Sequence, residues 1–132
     1  MKKYCLLFCL LFMSLFHCMS QTTRCVAYEC AMGAISEYSG RVTWGDWHKC
    51  DIPISINMEE SRIRIFSNKE QDYQVVSDWE DLYDDTGESA YAKCIDSDGL
   101  VCRVKIRKQY NVGFQIYVEY GDLIWVYNIE RY

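Results

Sequence analysis

The sequence predicts an all-β protein: an antiparallel meander of about eight strands that forms a small barrel or sandwich and follows an N-terminal signal peptide. Three observations predict this fold class. Apolar residues occupy every second position through most of the chain, turn residues recur at intervals of roughly eight to twelve residues, and helical spacing is almost absent. Because successive side chains of a strand point to opposite sides, this spacing hides one face of a sheet from water.

The last stretch of the chain, Gly113 to Arg131, gives the strongest strand signal. Two alternating apolar runs flank Gly121-Asp122, a pair that suits a two-residue turn because glycine accepts a positive φ. The register about this turn pairs Tyr120 with Leu123, Val118 with Trp125, Ile116 with Tyr127 and Phe114 with Ile129. We therefore predict a terminal β-hairpin. Its other face is also apolar, with Tyr117 opposite Val126, which predicts either a second covering layer or a partner surface.

The first twenty residues have the pattern of an export signal. Lys2 and Lys3 precede an apolar run of about a dozen residues, and Cys18 and Ser20 provide small residues before a cleavage site. The run is shorter than the roughly 20 residues that span a bilayer, so we expect no permanent membrane span. A secreted or periplasmic location follows. Acylation of Cys18 as a lipid anchor is a competing interpretation, which the bulky His17 before it disfavours.

The predicted organisation has three parts: a signal peptide at 1–20, an irregular leader at 21–40 and a single β domain at 41–132. Removal of Lys2 and Lys3 with the signal leaves twelve of the fourteen basic residues against nineteen acidic ones, a net charge of −7. Such a charge argues against nucleic acid and anionic lipid as partners, because both require a surplus of Lys and Arg.

Five cysteines remain after the signal: Cys25, Cys30, Cys50, Cys94 and Cys102. In an oxidising compartment we expect two disulfides and one free thiol, which allows fifteen arrangements. The candidate pair is Cys94 with Cys102, since a three-residue loop with Gly99 in the left-handed conformation sets them opposite each other. A two-residue turn at Asp98-Gly99 would break that pairing.

Strand spacing is also clear in the middle of the chain, at 41–47, 50–56, 62–66 and 73–76. Pro53 lacks an N–H, so its strand should lie at a sheet edge or point the missing donor outward. Residues 78–88 carry six acids and interrupt the pattern. Ser77 followed by Glu80 matches a helix capping box, which predicts one or two helical turns there.

No catalytic, metal or cofactor signature is found in the chain. His48 is the one histidine after the signal, and no local motif joins it to a cysteine. Zinc requires tight Cys/His pairs, and Asp96 to Gly99 lacks the third oxygen ligand and the later Glu of a calcium loop. The carboxylates are numerous enough for a small exported hydrolase, but nothing in the sequence selects a pair.

Aromatic residues at strand positions give the leading functional interpretation. Trp44, Trp47 and Tyr117 are the candidate ligand-binding residues, on a sheet face or in the loops near the two tryptophans. The chain is accordingly interpreted as an exported binding module for a protein, small molecule or carbohydrate. The alternatives are the hydrolase and a structural subunit that docks through a sheet edge. The meander is similar in architecture to lipocalin-like barrels, which implies nothing about the ligand.

Overall fold

A computed structural model describes residues 22–131, which contain ten β-strands and no helix. The strands are β1 (Thr22–Ile35), β2 (Val42–Trp44), β3 (His48–Asn57), β4 (Arg62–Ile65), β5 (Gln71–Val75), β6 (Glu80–Asp84), β7 (Gly87–Ile95), β8 (Val101–Gln109), β9 (Gly113–Glu119) and β10 (Leu123–Arg131). The predicted signal peptide at 1–20, including Cys18, lies outside the described residues. Between residues 22 and 131 there is no helix with the length and apolar character that a membrane crossing requires.

Eight of the strands form a closed antiparallel barrel, which confirms the predicted fold class. The order around the barrel is β1, β3, β4, β5, β7, β8, β9, β10, and β10 pairs back with β1. Two strands lie outside this ring: β2 continues the pairing of β1, and β6 pairs with β7. Closure removes the open edges that a flat meander would leave.

The prediction of an irregular leader at 21–40 is wrong for most of that stretch. Residues 22–35 form β1, the longest strand, which lies between β3 and β10. The alternation is hidden in the sequence by a β-bulge at Tyr28, where the register shifts against both neighbouring strands. Cys25 and Ala27 are buried before the bulge, while Cys30 faces the interior after it, so the inward positions change from odd to even.

The helical turns predicted within 78–88 are also absent, and β6 occupies this stretch. One oxygen of Asp84, Oδ1, accepts hydrogen bonds from the backbone N–H groups of Thr86 (2.8 Å) and Gly87 (2.9 Å), which forms a tight turn into β7. Side chains such as Asp offer the backbone an alternative to the helix by this kind of local bond. Pairing with β7 then fixes the strand.

The two predicted hairpins have the predicted register. In the terminal hairpin Val118 pairs with Trp125 and Ile116 with Tyr127. In the β7–β8 hairpin Cys94 lies opposite Cys102, and Gly99 has a φ of 82°. The positive φ predicted for Gly121 in the terminal turn is wrong, however, because Gly121 is not among the residues with positive φ. Cross-strand apolar pairing, rather than a primed turn, holds this register.

Pro53 lies in a strand that is flanked on both sides, so of the two predicted alternatives, an edge position or a missing donor that points outward, the edge position is wrong. It pairs with Val26 of β1, and its carbonyl accepts the N–H of Phe66 at 2.9 Å, one residue past the end of β4. The nitrogen of Pro53, which carries no hydrogen, therefore lies beside the end of β4. Few hydrogen bonds between β3 and β4 are lost because of it.

Aliphatic side chains from all eight barrel strands fill the interior. Fully buried members include Ile54, Ile56, Ile63, Ile65, Val104, Ile116 and Val118, each at most 1% exposed. Trp79 and Met58 pack against this cluster from the loops at one end, and Tyr120 and Trp125 pack against it near the other. An eight-stranded barrel is just wide enough for side chains to fill it, which is the arrangement seen here.

Candidate functional site

Two of the three predicted ligand-binding residues meet on the outside of the barrel. Trp44 is the last residue of β2, and Tyr117 lies on the outward side of β9. Their rings contact edge to face, with centroids 6.4 Å apart and an interplanar angle of 64°. Trp44 is 45% exposed, so the pair combines a fixed geometry with a solvent-accessible indole.

Gly33 of β1 makes the position of Trp44 possible. The two residues are cross-strand partners, and a Cβ on Gly33 would lie 2.6 Å from Cγ1 of Val42 and 3.0 Å from Cε3 of Trp44. Because glycine leaves this space open, the side chains of Val42 and Trp44 gather with Ile124 around Gly33, while β2 stays paired with β1 in the sheet. These side chains cover part of the apolar outer face that the terminal hairpin presents.

Trp47, the third predicted residue, remains apart from this pair. It lies between β2 and β3 and is 47% exposed. Among the ring contacts within residues 22–131, it packs against neither Trp44 nor Tyr117. Trp47 therefore lies in the short connection that follows Trp44, and it takes no part in the contact between Trp44 and Tyr117.

Two polar side chains, Gln115 and Lys105, contact Tyr117. Its hydroxyl donates a hydrogen bond of 3.0 Å to Oε1 of Gln115, and Nε2 of Gln115 donates in turn to Oδ1 of Asn128 at 2.8 Å. Nζ of Lys105 lies 4.4 Å from the centroid of the Tyr117 ring, a cation–π geometry. Burial raises the pKa of Tyr117, which keeps its hydroxyl a donor. We call the surface formed by Trp44, Lys105, Gln115, Tyr117 and Asn128 the Trp44 face.

Arg103, Lys105 and Arg107 form a basic stripe along β8, and each of them is paired with an acid of the same chain. Nε of Arg103 donates to Oε2 of Glu119 at 2.7 Å, and Nζ of Lys105 lies 3.6 Å from the other oxygen of Glu119. Nη1 of Arg107 lies 3.2 Å from Oδ2 of Asp84, so the acidic 78–88 segment meets the stripe within one chain. Two carboxylates, Glu119 and Asp84, are thus shared among the three cations.

A groove of about 430 Å³ continues from the stripe toward β6. Residues of both charges line it, including Asp78, Glu80, Tyr91, Arg103 and Glu119. The guanidinium of Arg103 lies 4.9 Å from the centroid of the Tyr91 ring, and Glu80, the cross-strand partner of Tyr91, raises the pKa of its hydroxyl. The groove thus offers an aromatic side wall with hydrogen-bonding groups on both sides.

A polar network that the sequence did not predict joins Gln71, Tyr73 and Tyr127 in the barrel. The hydroxyl of Tyr73 donates to Oε1 of Gln71 at 2.5 Å, and Nε2 of Gln71 donates to the hydroxyl of Tyr127 at 3.2 Å. Burial raises the pKa of both tyrosines, which are 3% and 4% exposed. Tyrosines at inward strand positions were the available signal. The network therefore satisfies the hydroxyl groups of two tyrosines that belong to the buried core.

The predicted disulfide pair is aligned but unbonded. Cys94 and Cys102 are 0% and 4% exposed, and both thiols are free. Asp96, two residues beyond Cys94, donates its N–H to the carbonyl of Leu100, so by alternation Cys94 and Cys102 form a hydrogen-bonded pair. Such pairs hold their Cβ atoms about 5.5 Å apart, whereas a disulfide needs about 3.5–4.5 Å.

The remaining candidate residues do not form a reactive group. His48 is exposed at the start of β3. Oδ1 of Asp96 accepts the N–H groups of Asp98 (3.0 Å) and Leu100 (2.8 Å), which is turn chemistry. Over residues 22–131, His, Cys, Asp and Glu side chains nowhere form a group of three or more that could hold a metal ion.

One carboxylate stands out electrostatically. Both oxygens of Asp81 are buried and have no hydrogen-bond partner in the described part of the chain. Burial raises the pKa of Asp81, and the nearby carboxylate of Glu88 raises it further. Hydrolysis by acid–base catalysis uses two carboxyl groups, one of which has a raised pKa. Within residues 22–131, the pair of Asp81 and Glu88 is the feature that favours a hydrolase.

Comparison with known proteins adds no identity to this geometry. No protein-family model matches the chain, and neither a curated protein nor a solved structure resembles it significantly.

Proposed function

We propose that this chain is an exported binding module, secreted or periplasmic, which engages its ligand through the Trp44 face. The observation that carries the proposal is the contact between Trp44 and Tyr117. β2 lies outside the barrel ring, yet its one tryptophan is fixed against β9 with nearly half of its surface exposed. Because this large aromatic side chain is already held in place, little of its conformational entropy is lost when a ligand binds.

A carbohydrate is the ligand class that fits this surface best. Sugar rings stack on exposed aromatic faces, and their hydroxyl groups need donors and acceptors at the edge of the ring. Trp44 provides the stacking surface, while Lys105, Gln115 and Asn128 provide the polar groups around Tyr117. The groove beside Tyr91 offers room for a second sugar unit.

The outer surface is a better binding site than the barrel interior. The interior positions belong to one cluster of buried side chains in which Ile54, Ile65 and Val118 are at most 1% exposed. A ligand inside would have to displace these residues. At the Trp44 face a ligand displaces water.

A glycan array probed with the purified protein tests this proposal. We expect binding to a subset of neutral or mixed-charge glycans, and we expect Trp44→Ala to weaken it by about a hundredfold, a loss of roughly 2.7 kcal/mol. Tyr110→Ala is the matched control, because Tyr110 is also 45% exposed but lies in the β8–β9 turn. Equal binding by wild type and Trp44→Ala, or equal loss in both variants, would contradict the proposal.

The hydrolase is a second candidate function, favoured by Asp81 and Glu88. In this alternative Asp81 is the protonated acid and Glu88 the carboxylate base. Release of reducing ends from soluble polysaccharides is the assay, with wild type compared with Asp81→Asn. Activity that disappears in Asp81→Asn and persists in Trp44→Ala would favour the hydrolase over the binding module.

A further inference from the structure

The five cysteines of the described chain differ sharply in accessibility. Cys25, Cys94 and Cys102 are buried, whereas Cys30 and Cys50 are partly exposed. An oxidant that meets the folded protein therefore reaches Cys30 and Cys50 first.

These two accessible cysteines lie diagonally across from each other on neighbouring strands. Cys30 of β1 lies opposite His48, and Cys50 follows two residues later on the same side of β3. The thiol of Cys30 lies near enough to Cys50 to raise its pKa, and Sγ of Cys50 donates to the carbonyl oxygen of Ala27 at 3.4 Å. The two thiols are therefore near neighbours on this face and are not bonded to each other.

The β-bulge explains why a diagonal pair comes so close. Diagonal neighbours on antiparallel strands are normally about 7–8 Å apart, beyond the reach of a disulfide. Here two residues of β3, Cys50 and Asp51, oppose the single residue Tyr28 of β1. A bulge bends its strand and increases the local twist, which brings the Cys50 side chain toward Cys30.

The position of the pair is specific in the fold. The pair of Cys30 with His48 is the last between β1 and β3, and from Gly33 onward β1 pairs with β2 instead. A covalent link between Cys30 and Cys50 would close the loop 31–49 at its base. That loop contains β2 and both exposed tryptophans, Trp44 and Trp47.

We propose that Cys30 and Cys50 form a disulfide that clamps the base of the loop carrying Trp44 and Trp47. The inference rests on the proposed export and deepens the proposed function, because it fixes the surface that binds the ligand. Removal of loop-closure entropy from 31–49 holds β2 against the barrel. Cys25 stays a free thiol.

The reaction is thiol–disulfide exchange with an external disulfide. The thiolate of one cysteine attacks the external disulfide, forms a mixed disulfide and releases one external thiolate. The thiolate of the second cysteine then attacks the mixed disulfide, which forms the Cys30–Cys50 bond and releases the second external thiolate. The two protein thiols are oxidised, the external disulfide is reduced to two thiols, and the two protons pass to those thiols.

Oxidised glutathione is the probe, followed by trypsin digestion and mass spectrometry without reduction. Burial, with a further contribution from Cys30, raises the pKa of Cys50 to about 12, so the reaction needs a mildly alkaline buffer. Trypsin places Cys30 in peptide 25–41 and Cys50 in peptide 50–62, while Cys94 and Cys102 share peptide 94–103. We expect 25–41 linked to 50–62 in wild type and in Cys25→Ser, and no link in Cys30→Ser.

Two results would overturn the inference: glutathione adducts on Cys30 and Cys50 without a link between their peptides, or a link that survives in Cys30→Ser. Amide hydrogen exchange then tests the clamp. We expect amides of residues 36–47 to exchange at least several-fold faster in reduced than in oxidised wild type, and no such difference for β8. Equal exchange of 36–47 in both states would contradict the clamp.

These readouts do not depend on a ligand. If the link forms and the glycan array shows no binding, the proposed function fails and the disulfide stands. If the array shows Trp44-dependent binding and the link does not form, the disulfide fails alone.

Discussion

Tyr120 donates a hydrogen bond of 2.7 Å from its hydroxyl to Oδ2 of Asp96, and this contact joins the β9–β10 turn to the β7–β8 turn. The other oxygen of Asp96 already accepts the N–H groups of Asp98 and Leu100. The Tyr120 ring packs edge to face on Trp125, with centroids 5.8 Å apart. One carboxylate thus organises its own turn and anchors a neighbouring hairpin.

Tyr120→Phe should make the free energy of unfolding change less with pH in the acid range. The hydrogen bond from Tyr120, supported by backbone donors, lowers the pKa of Asp96. A lowered carboxyl pKa stabilises the fold above the unfolded pKa of about 3.9, and this contribution is lost as pH falls through the folded value. We expect Tyr120→Phe to lose up to about 1 kcal/mol at neutral pH, a figure reduced for solvent screening at Asp96.

Urea denaturation of the two proteins at neutral pH and at a pH of about 3 measures this difference. The gap between wild type and Tyr120→Phe should narrow at the lower pH. Tyr110→Phe is the control, because no hydrogen bond of its hydroxyl is seen within the described residues and it is 45% exposed. A gap that does not change with pH would show that Asp96 is not the group involved.

Gly87→Ala should destabilise the barrel by about 1–3 kcal/mol. A Cβ at this position would lie 2.3 Å from the carbonyl oxygen of Lys108, so the β7 or β8 backbone would have to move. Gly121→Ala is the matched control, since nothing lies within 4 Å of the added Cβ and its φ is not positive. We expect it to change stability by less than about 0.5 kcal/mol in thermal or urea unfolding. Similar losses in both variants would argue against the close approach at Gly87.

Gly33→Ala should displace Trp44 while the barrel stays folded. The added Cβ would meet Val42, Trp44 and Ile124 at distances of 2.6–3.1 Å, and β2 lies outside the ring of eight strands. On the array that tests the proposed function, we expect Gly33→Ala to lose about tenfold in affinity, roughly 1.4 kcal/mol. Far-ultraviolet circular dichroism checks the fold. Unchanged affinity with a displaced Trp44, seen by a shifted indole fluorescence, would remove Trp44 from the site.

Cys25→Ala should reduce the loss of stability at alkaline pH. Burial raises the pKa of Cys25 from 9.0 to about 12, so the folded state keeps a proton that the unfolded state loses. Stability therefore falls as pH rises above 9.0 and continues to fall until the folded value is reached. One such thiol contributes a slope of at most about 1.4 kcal/mol per pH unit.

Urea unfolding at several alkaline pH values compares the slopes, and the slope of Cys25→Ala should be shallower than that of wild type. Because the mutation also removes buried volume, the absolute stabilities differ and only the slopes are compared. Parallel curves would indicate that Cys25 ionises equally in both states.

Asp84→Ala should loosen β6 without affecting the barrel. Oδ1 of Asp84 accepts two backbone N–H groups of the turn, and Arg107 bonds the same carboxylate. The Arg107 guanidinium, followed by the Thr86 donors, holds the pKa of Asp84 well below its usual range. Hydrogen exchange should become faster for amides of β6 in Asp84→Ala and stay unchanged in Asp85→Ala, its exposed neighbour. Equal protection of β6 in both variants would show that the turn does not depend on this side chain.

The sequence by itself determined the hairpins. In Gly113 to Arg131 and in the β7–β8 pair, the partners are separated by a few residues, so the alternation of apolar residues on the two sides of the turn predicts the register. Gly99 is the clearest case, since its positive φ follows from the loop length alone. The sequence also predicted the candidate aromatic residues, because a sheet with one buried face does not need apolar side chains on its other face.

Only the tertiary structure decided how the barrel closes and where its site lies. The pairing of β1 with β10 joins the two ends of the described chain. The bulge at Tyr28 interrupts the alternation of β1, so the sequence of this strand resembles an irregular segment. The contact of Trp44 with Tyr117 spans strands that closure brings together, and the proximity of Cys30 to Cys50 lies beside the register shift between β1 and β3. Short-range alternation specifies which face of a strand is apolar, but contacts between distant strands depend on the stagger, twist and bulges of the whole sheet, which no local pattern encodes.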